Sequence, residues 1–169
     1  MSLRELKKYI HELTKEQLED QLEDLYNRFK EVKAYYDFAF NPQESKLIEE
    51  CKQKISKEYF PINGRRAKMR RSVSQKHIRH FIQLGVDPMR IADVMLFNIE
   101  IAQTFSAEKE VKQEAFYKSM LKSFEEAVQF SIENGIYTSF LSRLNRISAK
   151  AAEQKWFNCR LFEKTLLEK

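Results

Sequence analysis

Seven cations fall between Tyr59 and Val86 with no acid among them: Arg65, Arg66, Lys68, Arg70, Arg71, Lys76 and Arg79. Guanidinium groups grip phosphate or carboxylate oxygens in two-pronged hydrogen bonds, and a lysine ammonium adds a mobile point charge. With Ser72 and Ser74 alongside, this set suits contacts to the sugar-phosphate backbone of RNA or DNA, which position a nucleic acid without reading its sequence and weaken steeply with salt. A helical tract would place Arg66 and Arg70 on one side. Two further readings stay open on the residues alone. The tract could be solvated surface or dock on acids of its own chain, or it could meet a protein partner with an acidic surface. A membrane surface fits poorly, because the tract lacks interleaved Trp and Phe anchors.

Other residues capable of chemistry are few and scattered. His11, His77 and His80 are the only histidines. No cysteine neighbours them and no HExxH or Glu-x-x-His spacing occurs, so no metal site is expected. His77 reads as a hydrogen-bonded core residue and His80 as solvent-facing. The pairs Glu49-Glu50 and Glu125-Glu126 are adjacent, and adjacent side chains on a helix diverge. Gly64, Gly85 and Gly135 are isolated, so a glycine-rich phosphate loop is absent. Cys51 and Cys159 read as small helical hydrophobes. The expectation is a non-catalytic protein without a cofactor.

The charge is concentrated as well as clustered. Residues 1–58 sum to −2 and residues 87–169 to zero, so the +7 of residues 59–86 supplies the whole excess behind a net charge of +5. At 169 residues, 43% hydrophobic and 33% charged, the chain can bury a core and is too apolar for a disordered tail. No run approaches a transmembrane span and the start MSLRELKKY lacks a secretory h-region, which leads to the expectation of a cytoplasmic protein, monomeric or weakly dimeric.

Three glycines and three prolines leave room for long helices with few interruptions. Leu3, Leu6, Ile10 and Leu13 repeat at helical spacing behind Ser2, and Thr14 with Gln17 forms a capping box ahead of Leu18, Leu22, Leu25, Phe29 and Val32. Glu16, Glu19, Asp20, Glu23 and Asp24 make that second helix acidic outside. The aromatic run from Val32 to Phe40 either ends this helix or forms a corner. Asn41-Pro42-Gln43-Glu44 reads as a cap with proline at the first helical position, followed by Leu47, Ile48, Cys51 and Ile55. Tyr59-Phe60-Pro61 stops that helix, and Ile62-Asn63-Gly64 reads as a turn.

A helix then starts between Arg66 and Ser74, burying Val73, His77, Ile78, Phe81, Ile82 and Leu84 and ending at Gly85. Asp87-Pro88 starts the next, whose Ile91, Val94, Met95, Leu96, Ile99 and Ala102 cover so much of its circumference that it should be central. SQKHIRHFIQLGVDPMRIADVMLF also has the outline of a helix-turn-helix, although Arg90 is the only base near the start of its second helix. Ser106 reads as the cap of a helix containing Val111 and running to Asn134-Gly135, and Ile136 to Ile147 form another. The tail continues it or breaks near Ser148. An exposed apolar patch for a protein partner would lie around Phe157 or Phe162. The pattern specifies a single all-α domain, 1–169, of about seven helices, as an antiparallel bundle or a short α-α superhelix.

The runs LRELKKYIHELTKEQLEDQLEDLYNRF, YYDFAFNPQESKL and KISKEYFP, with the passage from the basic tract to LGVDP, together resemble a family of small all-helical bacterial proteins, common in the Bacteroidetes group, catalogued as a domain of unknown function. The likeness covers nearly the whole chain. It implies a bacterial cytoplasmic protein and carries no activity, cofactor or catalytic residue onto any position.

Overall fold

The computed structural model describes residues 1–62 and 64–168. It is all-α, with nine helices and no strand among those residues: α1 (Leu3–Glu12), α2 (Lys15–Arg28), α3 (Lys30–Phe40), α4 (Glu44–Tyr59), α5 (Arg71–Leu84), α6 (Pro88–Glu108), α7 (Glu114–Glu133), α8 (Tyr137–Glu153) and α9 (Cys159–Leu167). The chain divides into two compact units, Met1–Gln43 and Glu44–Lys169.

In the first unit both expected caps form. Ser2 and Glu5 close a capping box on α1, and Thr14 and Gln17 close one on α2. The aromatic run is neither a helix end nor a corner but a helix of its own, α3. Phe29 is responsible: its extended backbone, φ −112° and ψ 115°, ends α2 and begins α3 in one residue. Tyr26 Oη donates to Asp37 Oδ1 at 2.8 Å and ties the two helices together. Asn41 caps no new helix. Its N–H is bonded to Asp37 O at the end of α3, and with its backbone committed there α4 begins only at Glu44.

The second unit is built around α6. Asp87 caps it through Met89 N–H, and Ile91, Ala92, Val94, Met95, Leu96, Ile99 and Ala102 are buried, Ile99 fully. Helices α4, α5, α7 and α8 all pack on α6, and α9 closes over α7 and α8. This encirclement removes the helix-turn-helix reading, since a helix enclosed by four neighbours cannot enter a DNA groove. Gly85, at φ +74°, ends α5 as the sequence indicates. Along α5 the buried positions are Ser74, Ile78, Phe81 and Leu84, which leaves Ile82 on the shoulder, half exposed, and Val73 and His77 only partly covered.

The count of seven falls short for one more reason. Helix α8 does not break near Ser148, which is buried within it, but runs to Glu153. The turn follows at Lys155, whose φ of +54° is the left-handed conformation that a glycine usually supplies, and Trp156 N–H returns to Ala151 O. Ser106 is no cap either. The apolar face of α6 continues through Phe105, so Ser106 stays helical and donates to Gln154 Oε1 at 2.9 Å, while α7 starts at Glu114 and Val111 is buried in the connection.

An ionic cluster closes one side of this core. Arg143 on α8 forks onto Glu100 at 2.7 and 2.8 Å and reaches Asp93 at 2.6 Å, both on α6, while Lys52 on α4 also pairs with Asp93. Burial pushes the Asp93 carboxyl up, but the hydrogen bonds from Lys52 and Arg143 outweigh it and hold the group below its ordinary value.

Ile99→Ala should cost about 2–5 kcal/mol, against about 0.5 kcal/mol or less for Ile82→Ala, read from urea midpoints. Because the Asp93 value is depressed in the folded state, its stabilisation is complete above the unfolded value of 3.8 and disappears as pH falls through the folded one. Acid unfolding below that value should therefore be steeper in the wild type than in Asp93→Asn.

Candidate polyanion site

The basic residues lie on a connection and on the helix after it. Tyr59 ends α4 as expected, buried against Met120 and Phe105, and Phe60 meets Phe105 edge-on, so the exit from α4 is fixed to the core. The turn expected at Ile62-Asn63-Gly64 falls partly on Asn63, outside the described residues; Gly64 has φ +66°. Residues 65–70 are not helical, so Arg66 and Arg70 share no helix face.

What shapes this loop is Glu58. Its backbone carbonyl accepts the N–H groups of Lys68 and Met69 at 2.9 and 3.0 Å. Its carboxylate takes the Arg70 guanidinium as a fork, Nε to Oε2 at 2.9 Å and Nη2 to Oε1 at 2.8 Å. Met69 is held at φ +51°, an uncommon conformation for a residue with a side chain. The Arg70 hydrogen bonds hold the Glu58 carboxyl below the usual range despite partial burial. One acid on the last turn of α4 thereby folds the loop back and uses up one of its cations.

Arg71 is spent in the same way. On the first turn of α5 it donates to Ser123 Oγ at 2.8 Å and pairs with Glu126 on α7, which also accepts from Gln75. The acids that the basic stretch meets within its own unit are therefore Glu58 and Glu126. Arg65, Arg66 and Lys68 are exposed and meet no acid at ion-pair distance among the described residues. Lys76 and Arg79 are exposed on α5. Arg79 Nε contacts Gln75 O at 3.3 Å and borders a shallow depression with Glu125, Glu126 and Glu133, an acidic neighbourhood unlike that of the loop.

Two depressions flank the loop. One, of about 340 Å³, brings Arg65, Arg66, Lys68 and Arg70 together with Lys57 and Glu58 from α4, the Glu58 carboxylate being held by Arg70. The other, of about 850 Å³, runs from the loop onto the start of α7 at Gln113, Phe116 and Ser119. Lys57 escapes the sequence reading because it precedes the acid-free stretch and sits beside Glu58 in a charge-balanced helix. Arg65, Arg66, Lys68 and Lys57 form a surface that can donate hydrogen bonds to phosphate oxygens.

A computed family model described as a family of unknown function (DUF6155) matches residues 1–168. The chain belongs to that family. No curated protein and no solved structure matches it. The DUF6155 chain buries Cys51, which pushes its thiol up to about 11, and leaves Cys159 partly covered at the start of α9. His77 is not the hydrogen-bonded core residue expected: it is half-buried against Phe81, and burial lowers its basicity. His80 is exposed beside the same ring. No three of His, Cys, Asp and Glu converge as metal ligands among the described residues, and no described helix is long and apolar enough to cross a membrane. Phe162 is fully buried against Phe124 and Trp156 and offers no patch, whereas Phe157 is 57% exposed.

Glu58→Gln keeps the shape of the side chain while removing the charge that the Arg70 fork requires. Trypsin should then cut after Arg65, Arg66 or Lys68 several-fold faster than in the wild type. Equal rates, followed by mass spectrometry of the fragments, would show that the two backbone hydrogen bonds to Glu58 hold the loop without the carboxylate.

Proposed function

We propose that this chain is a non-catalytic binding module whose ligand is the phosphate backbone of a nucleic acid, held by Arg65, Arg66 and Lys68 with Lys57 beside them. The carrying observation is the division of charge within the loop. Arg70 and Arg71 are paired with Glu58 and Glu126 and fix the conformation, while Arg65, Arg66 and Lys68 stand exposed and form no ion pair among the described residues, Lys68 lying in the field of the Glu58 carboxylate that Arg70 already holds. A loop kept in shape by some of its cations presents the others at a lower entropic cost than a disordered tail would.

The contacts are of the positioning kind, guanidinium forks and an ammonium on phosphate oxygens, with no element suited to reading bases. Lys76 and Arg79 extend the positive surface along α5, Arg79 less effectively because Glu125, Glu126 and Glu133 lie around it.

Fluorescence anisotropy with mixed-sequence RNA and DNA, single- and double-stranded, tests this reading. Binding should weaken with salt, with a log–log slope of about −3 on duplex DNA if three phosphates are neutralised. Arg65→Glu/Arg66→Glu/Lys68→Glu should lower affinity at least about tenfold. Lys46→Glu/Arg160→Glu/Lys164→Glu, the same charge change at exposed positions on α4 and α9, should have a much smaller effect. Absence of salt-sensitive binding, or equal loss in both triple variants, would overturn the proposal.

A further inference from the structure

The unit Met1–Gln43 has a property that the phosphate-binding reading does not use: none of its residues is buried. Of the 17 large hydrophobic residues exposed in the described chain, nine lie in these first 43 positions, from Met1 and Leu3 to Phe40, which is 84% exposed. Helices of 10, 14 and 11 residues are marginal in water without tertiary packing. A unit of roughly 40 residues with no cysteine and no convergent set of metal-ligating side chains is at the size where association usually supplies the missing burial.

The exposed surface has two complementary parts. Helix α1 is amphipathic, with Leu3, Leu6, Ile10 and Leu13 at helical spacing and Arg4, Lys7 and Lys8 between them. Its Glu5 is turned onto the Ser2 backbone in the capping box, which leaves Glu12 at the end of the helix as the one other acid against Arg4, Lys7 and Lys8. Between α2 and α3 lies an open groove of about 740 Å³, with Leu22, Tyr26, Tyr36 and Phe40 on its walls and Glu23 and Asp37 at its edge. The two bases of α2 are already paired within the helix, Lys15 with Glu19 and Arg28 with Asp24, which leaves Glu16, Asp20 and Glu23 in excess. Within one chain α1 is hydrogen-bonded to α2 through Tyr9 and Gln21, and the groove stays open.

We propose that Met1–Gln43 is a self-association surface, in which α1 of one copy lies with its leucine-isoleucine stripe in the α2–α3 groove of a second copy, and the reverse. A basic amphipathic helix and an acid-rimmed apolar groove are what a helix-in-groove contact requires. One chain carries both halves, and a two-fold interface uses each of them twice. The occupant fixed by the residues is a second copy of this chain.

Sedimentation velocity of the full chain over a wide concentration range should show a monomer–dimer equilibrium. Leu3→Glu/Ile10→Glu in α1 and, separately, Leu22→Glu/Phe40→Glu in the groove should each weaken the dimer at least about tenfold. An equimolar mixture of these two variants should form a heterodimer tighter than either homodimer, because the intact α1 of the groove variant fits the intact groove of the α1 variant. Charge reversal gives a second route that leaves the apolar residues in place: Lys7→Glu/Lys8→Glu should weaken the dimer, and adding Asp20→Lys/Glu23→Lys to the same chain should restore it. A monomer at every concentration, a dimer indifferent to both apolar variants, or a mixture no tighter than its components would overturn the proposal.

Discussion

The enclosure of α6 is the constraint on which the rest of the Glu44–Lys169 unit depends. A helix apolar around most of its circumference is stable in water only when neighbours cover it on several sides, and α4, α5, α7 and α8 do so. Polar groups carried into that core are then obliged to pair. Gln103, almost fully buried on α6, donates to Ile147 O at 2.8 Å, and Gln154 donates to Gln103 O at 3.0 Å while accepting from Trp156 Nε1 at 3.0 Å. This chain of hydrogen bonds joins α6 to the end of α8 and to the turn that leads into α9. The Arg143 cluster serves the opposite side of the bond inventory, where charges at the edge of the core are paired across three helices instead of being left to water.

The basic loop inherits its position from the same packing. With Tyr59 and Phe60 seated against Phe105, the last turn of α4 cannot rotate, and Glu58 is aimed at the returning chain. With Ser123 and Glu126 fixed on α7, Arg71 has a defined place from which α5 starts. Two arginines of the loop thus act as fasteners between helices. Part-buried pairs of this kind contribute modestly to stability, yet they determine which cations remain available at the surface.

Much of this organisation was legible in the sequence, and the misses have physical causes. Gly85 and Asp87-Pro88 mark their helix boundaries by chemistry that has few other uses. Lys155 and Met69 adopt the left-handed conformation without being glycine, so no residue type announced the breaks they make. Phe29 interrupts a regular apolar stripe with one extended residue, and the periodicity on either side continues as if nothing had happened. The concentration of charge was plain, but its division into fasteners and exposed groups was not, because Glu126 is 55 positions from Arg71 and nothing local connects them. Lys57 was hidden for the converse reason: it belongs to the basic surface in space and to a neutral helix in sequence.

An amphipathic stripe also reads the same whether it is covered or left exposed, so the helical spacing of Leu3, Ile10 and Leu22 did not announce that they are exposed. Helix caps do not supply the missing stability: the two boxes at Ser2 and Thr14 are worth about 1 kcal/mol each, against an ordering cost of roughly 1–2 kcal/mol for every residue fixed. Three short helices with no buried side chain cannot close that gap alone. Their order is accordingly coupled to whatever covers them, and a groove and a helix of matching chemistry lie on the same 43 residues.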